Sequence, residues 1–107
     1  MMKTKLSIML LFAMAFFSAP VFSQFSDAAT IGYIRPFVGS NIVNIGVSTT
    51  LCQGRFFIDV SKPNGKLAYA AALTALTSNK KVNIEISDAT GCAAGYTEVV
   101  SIYILAN

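Results

Sequence analysis

Apolar and polar residues alternate along several short stretches of this chain, a pattern typical of β-strands that bury one face. It is clearest in residues 41–49 (NIVNIGVST), where Val and Ile alternate with Asn, Gly and Ser and predict one solvated face. Residues 31–39 (IGYIRPFVG) precede that stretch across a short Gly-Ser-Asn link, so together they predict a β-hairpin. Because Pro36 has no N–H for a ladder, the first strand is predicted to be an edge strand or to be bulged there.

Three later stretches complete a set of five predicted strands. They are residues 55–60 (RFFIDV), 81–87 (KVNIEIS) and 98–105 (EVVSIYIL). With a helix between the third and fourth, this is the order of a five-stranded Greek-key barrel of the OB-fold type, in which the helix plugs one end. The alternative is an open antiparallel sheet with one packed helix, because strand order alone does not close a sheet.

The segment between the third and fourth strands predicts the helix. Pro63 suits its first turn, with Ser61 or Asn64 as the N-cap. Ser78 and Asn79 end it, because Asn tolerates the left-handed conformation common at helix ends. Five alanines at positions 68–75 predict a close approach of the helix backbone to the sheet. Helical periodicity predicts this apolar surface: Leu67, Tyr69, Ala70, Ala71, Leu73, Thr74 and Leu76.

The first 23 residues have the layout of a secretory signal peptide. Lys3 and Lys5 precede an apolar run, and small residues lead to a predicted cleavage before Gln24. The apolar run is shorter than the roughly 20 residues of a membrane-spanning helix, so no membrane span is expected after cleavage. Residues 24–107 then form a single domain of an exported protein, periplasmic or extracellular. They keep six basic and five acidic residues, which gives no electrostatic case for nucleic acid.

The two cysteines, Cys52 and Cys92, predict a disulfide, because an even pair in an exported protein is more typical of a bridge than of a metal or redox site. The bridge would close a long loop across the helix. Such support is expected in a domain that buries only about 60 to 65% of its unfolded surface. Two free thiols, or pairing between chains, are the alternatives.

The run CQGRFFIDVSKPNGKLAYAAALTALTSNKKVNIEISDATGC resembles a pattern in small exported bacterial proteins: a Cys, a strand, an alanine-rich helix, a lysine-opened strand and a second Cys. Those proteins resemble the B subunits of subtilase-type AB toxins, whose OB-fold chains form a pentameric ring that binds cell-surface glycans. The resemblance covers residues 51–105 and implies an OB-fold, a homo-oligomer and a glycan ligand. Asn79 replaces the usual glycine. No glycan-contacting residue is transferred, because the matching residues belong to the framework: Tyr69, Ala70, Ala71, Leu73, Ala75, Lys80, Lys81 and Val82.

Catalytic chemistry has few candidates in this chain. It contains no histidine, so Ser-His and Cys-His nucleophile systems are absent and zinc loses its commonest nitrogen ligand. Asp59 and Glu85 could form a glycosidase-type pair, although solvated strand-face charges are the simpler interpretation. The glycines do not form a phosphate-binding loop. We therefore predict no enzymatic activity, no cofactor and no metal site.

Aromatic side chains are the better candidates for function, because so small a core cannot easily bury them all. The candidate binding surface consists of Tyr33, Phe37, Phe57, Tyr96 and Tyr103. The alternative is that these rings only cover the barrel wall or pack under the N-terminal segment. The leading function is a non-enzymatic secreted or periplasmic binding module that recognises a glycan or a protein. The alternative function is a structural or inhibitory envelope protein that pairs with a protein partner through an edge strand.

Overall fold

The computed structural model describes residues 23–106, so the predicted signal peptide lies outside the described residues apart from its last position. These residues form seven strands and one α-helix, together with a short 3-10 turn at Leu51–Gly54. The protein is therefore mainly β with one helix, and the predicted count of five strands is wrong. The elements are β1 (Ser23–Phe25), β2 (Ile31–Pro36), β3 (Ile42–Val47), β4 (Arg55–Asp59), α1 (Pro63–Thr77), β5 (Val82–Ser87), β6 (Thr97–Glu98) and β7 (Ser101–Ile104).

Within residues 23–106 the strands form two sheets rather than the predicted closed barrel. One sheet has the order β2-β3-β4-β6 and the other β1-β5-β7. Two departures from the prediction account for this: an additional strand, β1, precedes the first predicted strand, and the last predicted strand is divided into β6 and β7. β1 and a bridge at Ala29 pair with β5, whereas β2 pairs with β3. Likewise β6 pairs in parallel with β4 and β7 pairs antiparallel with β5, which also contradicts the single antiparallel sheet.

β2 lies at the edge of the four-stranded sheet, as the proline in it predicted. Its register with β3 pairs Tyr33 with Gly46 and is irregular between Ile31 and Tyr33. The predicted solvated face of β3 is wrong, because every residue of this strand after the first is buried, including Asn44. Side chains of the neighbouring strands therefore cover the side of β3 that points away from the core.

The core lies between the two sheets and the helix, and β3, β4 and β5 supply its largest side chains. The alternation predicted for β4 and β5 is confirmed, since every second residue of each strand is buried. The largest fully buried side chains are Ile45, Phe56, Ile58, Val82, Ile84 and Ile86.

Helix α1 buries alanines rather than leucines. Ala68, Ala72 and Ala75, spaced about one turn apart, are at most 6% exposed, whereas Leu67 is 71% exposed. The helix packs on β2, β4 and β7, and every buried residue of the helix is an alanine, whose side chain is a single methyl group. Of the five alanines predicted to approach the sheet, these three are therefore buried against it, whereas Ala70 is exposed, and the predicted leucine-bearing face is wrong.

The two ends of the helix differ in how well the sequence predicts them. Neither Ser61 nor Asn64 caps it, because the N-cap is Lys62, which makes no side-chain capping hydrogen bond. Ser61 instead donates its hydroxyl to Asp59. At the other end, Asn79 has the predicted left-handed conformation, with φ of 53°.

Cys52 and Cys92 form the predicted disulfide, with their Cα atoms 5.3 Å apart. It joins the turn before β4 to the segment between β5 and β6, at a sequence separation of 40 residues. A loop of this length is worth about 4 kcal/mol in the chain-entropy account. The bond is compatible with export to an oxidising compartment. Among the described residues, no helix has the length and hydrophobicity needed to cross a bilayer.

Candidate functional site

The candidate site lies on the outer face of the four-stranded sheet, which we define as the side turned away from the core. Alternate residues of β4 are buried in the core, which leaves Arg55 and Phe57 on the outer face. The strand registers place Tyr33, Gly46 and Arg55 in one row across β2, β3 and β4. The outer face therefore brings together Tyr33, a predicted site residue, and the cation of Arg55, which was not among the predicted site residues.

The ring of Tyr33 lies over Gly46. A Cβ atom at position 46 would fall 2.0 Å from Cε2 of Tyr33, so the ring occupies the space that any other residue would fill. The hydroxyl of Tyr33 is 2.9 Å from that of Tyr96, within hydrogen-bond distance. Because Tyr96 directly precedes β6, this contact spans the sheet from its β2 edge to its β6 edge.

The contact with Tyr96 changes the acidity of the Tyr33 phenol. The hydrogen bond with Tyr96 raises the pKa of the Tyr33 phenol above its ordinary value, and partial burial adds to the shift. Arg55 and Arg35 oppose it, because their positive charges favour the phenolate. The Tyr33 phenol therefore stays protonated at neutral pH and can donate a hydrogen bond.

A pocket of about 340 Å³ opens beside the Tyr33 ring. The Arg55 guanidinium donates a hydrogen bond to the side-chain oxygen of Gln53, so these two side chains support one another. Across the pocket, the hydroxyls of Thr30 and Ser48 are 3.0 Å apart. The pocket thus offers an aromatic ring, a cation, an amide and hydroxyl groups within one small volume.

Phe37 and Phe57 lie farther along the outer face. The guanidinium carbon of Arg35 is 4.8 Å from the centre of the Phe37 ring, in cation–π geometry. Phe57 is half-buried and faces Asn44 on one neighbouring strand and Glu98 on the other. Together with the tyrosine pair, four of the five predicted aromatic residues therefore share this face.

Tyr103 does not belong to the outer face. It lies in β7 of the three-stranded sheet, and its ring packs edge-on against Phe25, with 5.6 Å between ring centres. Both rings are about half exposed, at 51% for Tyr103 and 50% for Phe25. Phe25 was not predicted as a site residue because the pattern of its sequence indicated no strand at β1.

Three contributors to the site were missed. Gly46 carried a usable signal, because the predicted hairpin can place it opposite Tyr33, and an aromatic ring across from a strand glycine is a known stabilising pair. Arg55 was predicted only as part of the strand at residues 55–60 and was given no role. Gln53 carried no signal, because its position depends on the turn at Leu51–Gly54.

The carboxylates of the described residues are engaged in local contacts. Asp59 and Glu85 lie in different sheets. Asp59 accepts hydrogen bonds from Ser61, which lower its pKa and keep it ionised, unlike a general acid. Glu98 pairs with Lys62 at 2.8 Å, which raises the pKa of the lysine. In the part of the chain that the structure describes, no three His, Cys, Asp or Glu residues are grouped to hold a metal ion.

No protein-family model, curated protein or solved structure matches this chain.

Proposed function

We propose that this chain is a non-enzymatic exported binding module that recognises a glycan through the outer face of its four-stranded sheet. The observation that carries the proposal is the Tyr33–Tyr96 pair over Gly46, beside a pocket lined by Arg55 and Gln53. A sugar ring has an apolar C–H face and a rim of hydroxyls. An aromatic ring with donors and acceptors around it complements both features.

The residues of this face are held in place before any ligand binds. The Tyr33 ring is fixed by the hydroxyl of Tyr96 at one end and by the absence of a side chain at Gly46 beneath it. Arg55 is tied to Gln53, which lies in the disulfide-bonded turn. A ligand therefore has few rotamers to freeze, which lowers the entropic cost of binding.

The toxin-B-subunit-like version of this function also proposes an OB-type strand arrangement and a homo-oligomer. Its support is the antiparallel β2–β3–β4 meander, the parallel pairing of β6 with β4, and the helix between β4 and β5. Light scattering on the purified protein tests the oligomer. A monomer at all accessible concentrations removes the toxin-like version and leaves the glycan proposal in place.

A glycan array probed with the labelled, disulfide-bonded protein tests the proposed function. We expect at least one glycan class to bind, and Tyr33→Ala to weaken that binding on the order of tenfold, about 1.4 kcal/mol. Tyr103→Ala is the matched control, because it removes a tyrosine of the other sheet and should leave binding unchanged. A folded protein silent on the array, or equal binding by wild type and Tyr33→Ala, contradicts the proposal.

The second candidate is a structural or inhibitory protein that pairs with a protein partner through β2. Within the described residues β2 pairs only on its β3 side, so its other edge is available. The N–H of Phe37 donates to the carbonyl oxygen of Ile42 in β3. Because backbone N–H groups point alternately to the two sides of a strand, the nitrogens of Ile34 and Pro36 point away from β3, toward the unpaired edge of β2. Pro36 has no N–H to donate, which weakens this edge for pairing. Crosslinking in the native host distinguishes the candidates, because edge pairing predicts one dominant protein neighbour.

A further inference from the structure

We propose that the Cys52–Cys92 disulfide positions both sides of the outer-face site, so that its reduction by a dithiol releases Tyr96 from Tyr33 and opens the site. The inference depends on the proposed function for its ligand, but its geometric part can be tested without one.

One side of the site is attached directly to Cys52. The turn at Leu51–Gly54 carries Cys52 and Gln53, and Arg55 follows it as the first residue of β4. Gln53 and Arg55 are hydrogen-bonded to each other and line the pocket beside the Tyr33 ring. Any movement of the Cys52 backbone therefore moves the polar wall of the pocket.

The other side is attached to Cys92 through a short connector. Only residues 93–95 separate Cys92 from Tyr96, whose hydroxyl meets that of Tyr33. The N–H of Ala93 bonds to the Thr97 hydroxyl at 2.9 Å and folds this connector into a compact loop. The disulfide therefore brings together the two segments that flank the ring of Tyr33.

The backbone of the turn adds a second reason to expect movement on reduction. Cys52, Gln53 and Gly54 follow one another in the left-handed region, with φ of 50°, 57° and 70°. Glycine adopts this region freely and is required at 54, because a Cβ there would fall 2.0 Å from the carbonyl oxygen of Val47. For Cys52 and Gln53 the region is unfavourable and needs support from the surrounding structure. When the disulfide is reduced, Cys52 and Gln53 can return to more common backbone conformations.

A reductant can reach the bond and the chemistry balances. The Cys92 residue is exposed, and a depression of about 200 Å³ lies against both cysteines. Attack by one thiolate of a dithiol on one cysteine sulfur forms a mixed disulfide and releases the other cysteine as its thiol; attack by the second thiolate on the mixed disulfide then releases the remaining cysteine. The protein gains two electrons and two protons while the dithiol becomes a cyclic disulfide. The chain has no third cysteine that could compete.

The test compares oxidised protein with protein reduced by dithiothreitol, using two readouts. The first is the ultraviolet titration of the Tyr33 phenol, identified by its loss in Tyr33→Phe. The second is affinity for the best glycan on the array. We expect the pKa of Tyr33 to fall toward its ordinary value on reduction, and glycan affinity to fall on the order of tenfold.

Reduction could also unfold the protein, so a second variant keeps the disulfide intact. Insertion of two glycines after Gly95 lengthens the connector between Cys92 and Tyr96 and should reproduce both losses in an oxidised, folded protein. The same insertion after Gly91, before Cys92, is the matched control and should change neither readout.

The outcomes separate this inference from the proposed function. Loss of the raised Tyr33 pKa on reduction, in a protein that binds no glycan, supports the positioning role and refutes the glycan site. A glycan-binding protein whose Tyr33 pKa and affinity survive both reduction and the insertion after Gly95 overturns the positioning role and leaves the glycan site.

Discussion

Replacing Gly46 by alanine tests the packing of the outer face most sharply. The new Cβ would fall 2.0 Å from Cε2 of Tyr33, so the ring has to leave its place over the sheet. That movement breaks the hydrogen bond to Tyr96, worth about 0.5–1.5 kcal/mol, and uncovers an aromatic side chain that is now 42% exposed. Because the ring can swing into solvent without moving the backbone, the total loss should stay within about 1–3 kcal/mol.

Urea denaturation followed by circular dichroism measures this loss. Gly95→Ala is the matched control, because a Cβ there would meet nothing within 4 Å. In a Tyr33→Ala background, Gly46→Ala should cost little or even stabilise, since alanine in a strand is favoured over glycine by about 0.5–1 kcal/mol. An equal loss of stability in both backgrounds would refute the conclusion that the Tyr33 ring is what requires a glycine at position 46.

Three further predictions concern pH, the helix and the disulfide. Because folding raises the pKa of Tyr33, its hydrogen bond should stabilise the protein fully below about pH 10, the ordinary pKa of tyrosine. This stabilisation should be lost as the pH rises through the pKa of Tyr33 in the folded protein. Tyr96→Phe should bring that pKa nearer the ordinary value in an ultraviolet titration, and no change would contradict the assigned bond. Ala72→Leu fills a position that is 0% exposed and should cost about 1–3 kcal/mol in urea denaturation, whereas Ala70→Leu, on the exposed side, should leave stability unchanged. Reduction of the disulfide should lower the free energy of unfolding by about 4 kcal/mol, and a loss below about 1 kcal/mol would contradict the chain-entropy account.

Strand patterns predicted the middle of the fold better than its ends. The alternation of β4 and β5 predicts which of their residues are buried, whereas β3 buries its predicted apolar residues and the residues predicted to be solvated as well. The division into two sheets was missed because no strand was predicted at β1, and because the last predicted strand changes its pairing partner at residues 99–100, which contain no glycine or proline. Which strand a segment pairs with depends on contacts between residues far apart in the sequence, and the alternation of apolar and polar residues does not reveal those contacts.

The sequence also failed to predict which side of the helix faces the sheets. Periodicity gives weight to bulky side chains, so it favoured a surface that includes Leu67. The space beneath the helix accepts only methyl groups, and this selects Ala68, Ala72 and Ala75 instead. The size of that space is set by the sheets, which the helix sequence cannot reveal.

About half of the candidate site could be predicted from the sequence. Alternation and register bring Tyr33 and Phe57 to one face, and they could have identified Gly46 as the partner of Tyr33. The position of Gln53 depends on a turn held by the disulfide, and the position of Tyr103 depends on which sheet the last strand joins. Both depend on tertiary pairing rather than on local pattern.

The most direct test of the outer-face site is nuclear magnetic resonance mapping of backbone amide shifts during titration with a glycan identified on the array. Binding beside the Tyr33 ring predicts that the largest shifts occur at the three pocket glycines, Gly32, Gly46 and Gly54. Shifts that cluster instead around Phe25 and Tyr103 on the other sheet, or along helix α1, would contradict it.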